Sequence, residues 1–250
     1  MKRFFMITGL TALLASPLLA DDAAVMFERA RKSAAARDFA LSLDQFEGAL
    51  LGDANNLRYG AEYRQAVIAA GAYDRCIAFF EKLTTDSPQA ANAFLNLGYA
   101  FVDKIPVEGA ITQVLLANTA LTHFSKAIEV EDSWLARYTR GNSYLFWPAI
   151  FGRTPLAIAD LERANELAKG LEKKPYHARS WAGLGDGYWR LEDVAKAREI
   201  WQQGQALFPD DPDLKARLER QGDELNAYLE AHFDTTQRVA THLHEIFGTE

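Results

Sequence analysis

Cysteine is almost absent from this chain of 250 residues. Cys76 is the only one, so no disulfide can form within the chain. The hydrophobic core alone must stabilise the fold, and 49% hydrophobic residues can supply a sizeable core. Basic residues are also outnumbered, because 27 Lys and Arg face 34 Asp and Glu. The resulting negative charge argues against a protein that wraps nucleic acid or coats an anionic membrane.

Catalytic and cofactor-binding motifs are missing as well. The sequence has no GxSxG, no HExxH, no phosphate-cradling glycine loop and no paired CxxC. His232, His242 and His244 lie near the C-terminus. Residues two apart on a helix point about 200° apart, so a helix there would not bring His242 and His244 to one metal ion. We therefore expect no enzymatic activity, no cofactor and no metal site.

Long apolar runs are missing beyond the first twenty residues. Lys2 and Arg3 precede an apolar run over residues 4–14, and the sequence ASPLLA then leads to Asp21. This pattern is typical of a secretory signal peptide, and the run is short for a membrane-spanning helix. We expect cleavage after Ala20 and a soluble protein in the bacterial periplasm, with no membrane span left. An uncleaved membrane anchor is the alternative.

A helical pattern of aromatic and small residues runs from Tyr176 to Pro209. Apolar residues three and four apart mark one buried stripe on each of two helices, which a polar turn separates. Small residues in both stripes allow the two backbones to approach closely. The residues of the pattern are Trp181, Leu184, Gly185 and Tyr188, then Ala197, Trp201, Gly204 and Pro209.

This order, W-x2-LG-x2-Y followed by A-x3-aromatic-x2-small-x4-P, resembles the tetratricopeptide repeat, a pair of helices with a period of 34 residues. The resemblance implies an all-α solenoid that binds other molecules. Weaker copies precede this one, and Cys76 falls at a small, buried position of the second. We predict five helix pairs and a C-terminal helical cap with helices Leu214–His232 and Thr235–Phe247. The units are 23–56, 57–90, 91–133, 134–177 and 178–211, and the cap is 212–250.

Two units are longer than the repeat, both at the turn between their helices. In the third, the added residues continue an apolar stripe, so its second helix should begin early, near Glu108. In the fourth, the added sequence FWPAIFGRTP contains Trp147 and Phe151, which repeat packing does not require. Equivalent turns of a solenoid lie side by side, so the insertions should be neighbours. Trp147 and Phe151 either pack under the lengthened helix or contact a partner.

The resemblance also implies a ligand-binding groove, lined by the first helix of each unit. Asparagine and arginine can bind a peptide backbone or a carboxylate, and aromatic residues supply contact area. Ordinary solvated side chains are the alternative. A complete carboxylate clamp is not expected, because Thr139 and Gly183 occupy positions that would need further polar residues. Matching positions places in the groove Arg58, Asn92, Leu95, Asn96, Tyr99, Tyr138, Asn142, Arg179, Asp186 and Trp189.

These observations favour a non-enzymatic scaffold that binds a protein or peptide in the bacterial envelope, in the assembly of an envelope or transport complex. The alternative is a periplasmic protein that binds a small hydrophobic solute for a transporter. An open, polar groove would favour the scaffold. A closed apolar cavity of a few hundred Å3 would favour the solute-binding protein. The sequence indicates neither the partner nor the oligomeric state.

Overall fold

A computed structural model describes residues 17–235 and 239–247, and every regular element within these ranges is helical. None of the described helices is long and apolar enough to cross a membrane. The first ten helices are α1 (Pro17–Ala35), α2 (Phe39–Gly52), α3 (Leu57–Ala70), α4 (Tyr73–Asp86), α5 (Ala91–Lys104), α6 (Ala110–Val130), α7 (Trp134–Leu145), α8 (Thr154–Ala168), α9 (Ala178–Arg190) and α10 (Val194–Leu207). They are followed by α11 (Pro212–Glu219), α12 (Gly222–His232) and α13 (His244–Phe247).

Helices α1 to α10 form five consecutive pairs, which confirms the predicted solenoid. Short polar residues cap the starts of several helices by accepting a hydrogen bond from a backbone N–H of the first turn, as sequence patterns of this kind predict. The capping residues are Asp38, Asn56, Ser133, Asp193 and Asp211. The predicted signal peptide, residues 1–20, lies outside the described residues except for 17–20, which open α1.

The insertions of the third and fourth units are neighbours, as predicted. A 3-10 turn at Ile105–Val107 follows α5, and the long helix α6 begins at Ala110, two residues after the predicted start. A second 3-10 turn, Ala149–Phe151, lies in the fourth unit's insertion. Arg153 Nη2 donates a hydrogen bond of 2.6 Å to Asn118 Oδ1 on α6. The two lengthened turns are therefore joined on one edge of the solenoid.

The first predicted helix of the C-terminal cap is divided into two helices, α11 and α12. The prediction of a single helix Leu214–His232 is wrong, because Arg220 and Gln221 have extended backbones and Gly222 adopts a φ of +50°. Glycine reaches this left-handed conformation without steric cost, so the chain turns there. The buried leucines of the cap cover Trp201 at the open end of the solenoid; they are Leu214, Leu225 and Leu229.

The second predicted cap helix, Thr235–Phe247, is also wrong. Among its described residues, 235 and 239–247, only His244–Phe247 is helical, and residues 239–243 have no regular structure. Val239 and Thr241 are β-branched and weaken helix propensity, while Thr241 makes buried contacts that a surface helix would lose. Instead of capping the solenoid, the segment 239–247 returns to its interior face. We call it the C-terminal segment below.

Candidate functional site

A cavity of about 360 Å3 lies between the first helices of the repeat units and the C-terminal segment. Helices α5 and α7 form its floor, the two insertions form one wall, and residues 239–245 lie against another. Several residues predicted from the sequence line this cavity together, although they are far apart in the chain. They are Tyr99, Tyr138, Asn142, Trp147, Phe151 and Arg179.

Several polar groups at the floor of the cavity are neutral donors and acceptors. Tyr99 Oη lies 2.7 Å from Thr139 Oγ1, and burial raises the pKa of Tyr99 and of Tyr138, so both hydroxyls stay protonated near neutral pH. The half-buried side chain of Asn142 makes no hydrogen bond to any described residue. Its amide can therefore both donate to and accept from a ligand.

The two inserted aromatic residues have different environments. Trp147 is 7% exposed and belongs to the core, whereas Phe151 is 53% exposed. Their rings meet edge to face at 5.2 Å, and the guanidinium of Arg153 lies 3.6 Å from the centre of the Trp147 ring. Packing under the neighbouring turn thus accounts for Trp147. Phe151 keeps an open face at the edge of the cavity.

Four other residues of the predicted set lie outside this cavity. Arg58 pairs with Glu62 at 2.9 Å and lines a separate open cleft. Asn92 donates to the backbone of Asn55 at 2.8 Å, which joins the start of α5 to the loop between α2 and α3. Trp189 donates to Asn226 of α12 at 3.0 Å and packs against the cap.

The fourth, Asn96, is 1% exposed and accepts a hydrogen bond from Arg64 under the groove. Of the two further groove positions, Leu95 is buried in the core and is not open to a ligand. Asp186 holds Arg217 of the cap with two hydrogen bonds of 2.7 Å. The repeat register therefore predicts which helix faces the groove better than it predicts which polar side chain is free to bind.

Arg64 makes several buried contacts in the groove, but it is not among the residues predicted from the sequence. Its side chain is fully buried, with Nη1 2.8 Å from Asp103 Oδ2 and Nε 3.0 Å from Asn96 Oδ1. Its Nη2 donates to the backbone carbonyl of Thr241 at 2.7 Å. Its position in the repeat is the signal that could have revealed it. Arg64 stands where the third, fourth and fifth units carry glycine.

The residues that line the cavity can bind a ligand through hydrogen bonds and apolar contacts. Arg179 lies at the mouth of the cavity, and its guanidinium pairs with Glu245 of the C-terminal segment. Among the described residues, no group of three or more His, Cys, Asp or Glu side chains is placed to hold a metal ion. The charges of the lining are paired within the protein, Arg179 with Glu245 and Asp103 with Arg64. Aromatic walls and neutral donors suit an amphipathic ligand.

Comparison with known proteins identifies the fold of this chain through similar solved structures. No family model and no curated protein matches the sequence. The structure of TTC0263, a thermophilic TPR protein of Thermus thermophilus, matches with a TM-score of 0.54 and 18% identity over 79% of this chain and 97% of that one. The chain has the fold of a tetratricopeptide-repeat solenoid.

Two further solved structures resemble this solenoid. One is YrrB, described as a TPR protein with an unusual peptide-binding site, with a TM-score of 0.51 and 18% identity over 80% of this chain and 93% of that one. The other is MamA protein, with a TM-score of 0.50 and 15% identity over 81% of this chain and 97% of that one. At identities this low, the TM-scores show a common fold only. The ligand of this solenoid has to be inferred from its own residues.

Proposed function

We propose that this protein is a non-enzymatic scaffold that binds a segment of a protein partner in the groove formed by α3, α5, α7 and α9. The main support is that the groove already holds a stretch of peptide, the C-terminal segment, whose residues 239–243 have no regular secondary structure. A buried arginine, Arg64, binds a backbone carbonyl of that stretch at 2.7 Å. A backbone contact of this kind accepts any peptide, so the groove has the basic chemistry of a peptide site.

Other groups around the cavity fit the same role. The protonated hydroxyls of Tyr99 and Tyr138 and the amide of Asn142 can bind peptide groups, and Phe151 offers an open aromatic face. A fold shared with YrrB, which is described as having a peptide-binding site, supports the proposal at the level of architecture. The absence of known catalytic motifs from the sequence agrees with a scaffold.

The proposed place of action is the bacterial envelope, in the assembly of an envelope or transport complex. The support is the basic start and the apolar run of residues 2–19. Among the side chains of α1 that the structure describes, Ala23, Phe27 and Ala30 are buried, and all three remain in a protein that begins at Asp21. A mature protein starting at Asp21 would keep the whole groove.

Peptide selection from a random display library, with the full-length protein as bait, tests the proposal. Selected peptides should bind with a Kd that rises about tenfold or more in Asn142→Ala, because a polar group that a bound peptide uses would be lost. Gln202→Ala, an exposed amide on α10, is the matched control and should bind as the parent does. Failure to select any peptide, or equal losses in both variants, would refute the groove as a peptide site.

A second function, binding of a small hydrophobic solute, is favoured by the cavity itself. Its volume of about 360 Å3 falls within the range of roughly 300–1,000 Å3 that is usual for small-molecule sites. Trp147, Phe146 and Val102 give it apolar walls. Native mass spectrometry of protein purified from its host tests this function. A bound species of a few hundred daltons, lost on denaturation and reduced in Asn142→Trp, is the expected result, and a bare polypeptide mass would contradict it.

A further inference from the structure

The C-terminal segment occupies the groove through a regular series of contacts. Thr241 is 4% exposed: its carbonyl accepts from Arg64, and its hydroxyl donates to Asp103 Oδ1. Leu243 is 6% exposed and packs in the core beside the cavity. Glu245 pairs with Arg179. A hydroxyl, an apolar side chain and a carboxylate therefore follow one another at alternate positions of the segment.

Each of these contacts has a receptor group fixed by the solenoid. Arg64 is held by Asn96 and by Asp103, and its guanidinium lies 4.7 Å from the centre of the Tyr99 ring. Asp103 Oδ2 accepts a hydrogen bond from Arg64, and Asp103 Oδ1 accepts one from the Thr241 hydroxyl. If the segment leaves, Arg64 and Asp103 each lose a partner in a buried place, which is unfavourable unless another ligand replaces it.

The segment fits the groove imperfectly, however. Leu243 adopts a φ of +58°, a left-handed conformation that is strained for a residue with a branched side chain. The cavity beside the segment remains open, and the small residues Val239 and Ala240 line it without filling it. An unstrained peptide with a larger apolar residue at either position would make additional contacts in the same groove.

We propose that the C-terminal segment is a resident ligand of the groove and that it defines the class of partner. Resting on the peptide-binding function proposed above, this assigns as partners peptides with the pattern Thr or Ser, any residue, Leu or similar, any residue, Glu or Asp. A bulky apolar residue one or two positions before the hydroxyl residue fills the cavity. The partner binds by displacing residues 239–247.

The test uses the full-length protein and a labelled synthetic peptide, VATHLHEIF, which reproduces residues 239–247. Leu243→Asp places a charge in the core and should release the resident segment, whereas Leu51→Asp, at a residue 67% exposed and outside the cavity lining, is the matched control. Fluorescence anisotropy should give a Kd at least about tenfold lower for Leu243→Asp than for the parent and for the control. A peptide with Phe in place of the residue corresponding to Ala240 should bind still more tightly.

A charge exchange provides the same test without a change in the core. Glu245→Arg should also open the groove to the labelled peptide, because its arginine would face Arg179 at the mouth. Adding Arg179→Glu restores an ion pair of reversed polarity and should close the groove again. Weak binding of the charge-matched peptide VATHLHRIF to the double variant reports the return of the segment rather than the loss of Arg179. Urea unfolding at the parent's midpoint shows that the double variant is folded.

The results distinguish the two proposals. If the parent, Leu243→Asp and Glu245→Arg bind VATHLHEIF equally, the segment is not a competing ligand. If no variant binds it although library-selected peptides bind the parent, the groove takes peptides of another class. Either result overturns this inference and leaves the proposed function standing. If neither VATHLHEIF nor any library peptide binds any variant, both proposals fail.

Discussion

The indole of Trp201 lies directly against the backbone of Gly185, with its Nε1 donating a hydrogen bond of 3.1 Å to the carbonyl of Ala182. A Cβ atom at position 185 would overlap the indole. The same relationship recurs two units earlier, where a Cβ on Gly98 would overlap the ring of Phe124. Helix-to-helix contact at these glycines fixes the distance between the two helices of a unit.

Leucine at these glycines should therefore destabilise the protein. We expect Gly185→Leu, Gly98→Leu and Gly141→Leu each to lower the free energy of unfolding by roughly 1–3 kcal/mol or more, the usual effect of overpacking. Urea unfolding measures the change. Gly109→Leu is the control, because nothing lies within 4 Å of a Cβ there and the backbone φ is −76°. Three variants that unfold at the parent's urea concentration would contradict the repeat register.

The fold was predictable because each repeat unit is stabilised by contacts that the sequence repeats. Trp181, Gly185 and Trp201 lie within 21 residues and follow the helical period, so their pattern predicts two packed helices directly. The position of α6 followed in the same way from its continuous apolar stripe. Local periodicity also explains why Tyr99, Tyr138 and Asn142 were assigned to one groove, since they lie on the first helices of consecutive units.

The contents of the groove were not predictable from the same signals. Arg64 and Thr241 are 177 positions apart, and no repeat relates them. The C-terminal segment follows an apolar pattern that fits a helix, yet the contacts of Thr241 with Arg64 and Asp103 favour an irregular backbone at residues 239–243. Arg64 stands where three later units carry glycine. Nothing in the sequence identifies the residues that its side chain contacts.

Asp186 and Arg217 join the cap to the solenoid through a buried ion pair. The side chains are 1% and 2% exposed, respectively. Burial alone would lower the pKa of Arg217, but the charge and hydrogen bonds of Asp186 outweigh it and raise that pKa. We expect Asp186→Ala to cost about 3–5 kcal/mol in unfolding experiments, because it leaves a buried guanidinium without its partner. Asp186→Leu combined with Arg217→Met should recover most of the loss. A double variant as unstable as Asp186→Ala would show that the pair is not the cause.

Stability should fall when the pH drops below the ordinary histidine pKa of 6.5. Burial lowers the pKa of His123, and burial followed by the charge of Lys174 lowers that of His177. The unfolded chain thus takes up protons that the folded protein resists, so stability is full above pH 6.5 and decreases as the pH falls toward the lowered values. Scanning calorimetry at pH 7.5 and pH 5.5 should give a lower Tm at pH 5.5.

Replacement of His123 by phenylalanine identifies its share of this pH dependence. The His123 ring stacks on Phe101 with centroids 5.4 Å apart, so His123→Phe keeps an aromatic ring without a titrating group. The difference in Tm between pH 7.5 and pH 5.5 should shrink in this variant. A difference as large as the parent's would mean that His123 does not contribute to it.

Export predicts a defined N-terminus for the mature protein. In a bacterial host, N-terminal sequencing of the periplasmic fraction should begin at Asp21, because a small residue at position 20 suits signal peptidase. Ala20→Arg should block cleavage and leave the precursor in the membrane fraction, which serves as the matched comparison. Parent protein that begins at Met1 and remains with the membrane would support the uncleaved anchor instead.

Alanine substitutions of Trp147 and Phe151 should have different effects, the first on stability and the second on peptide binding. Trp147 is buried, so Trp147→Ala should lower the free energy of unfolding by about 3–5 kcal/mol. Phe151→Ala should change stability by less than about 0.5 kcal/mol, because its ring is half exposed. An aromatic contact in a binding site often contributes about 2 kcal/mol, so Phe151→Ala should raise the Kd of a library-selected peptide about thirtyfold.

Ile150 supplies the control for this last comparison. It is adjacent in sequence and 90% exposed, but it does not line the cavity. Ile150→Ala should therefore leave both the melting temperature and peptide binding as they are in the parent. If Phe151→Ala binds peptide as well as Ile150→Ala does, the edge formed by the two insertions lies outside the binding surface. Trp147 would then serve only to hold the fourth unit's insertion against the third unit, and the binding surface would be restricted to α5, α7, α9 and the positions of the C-terminal segment.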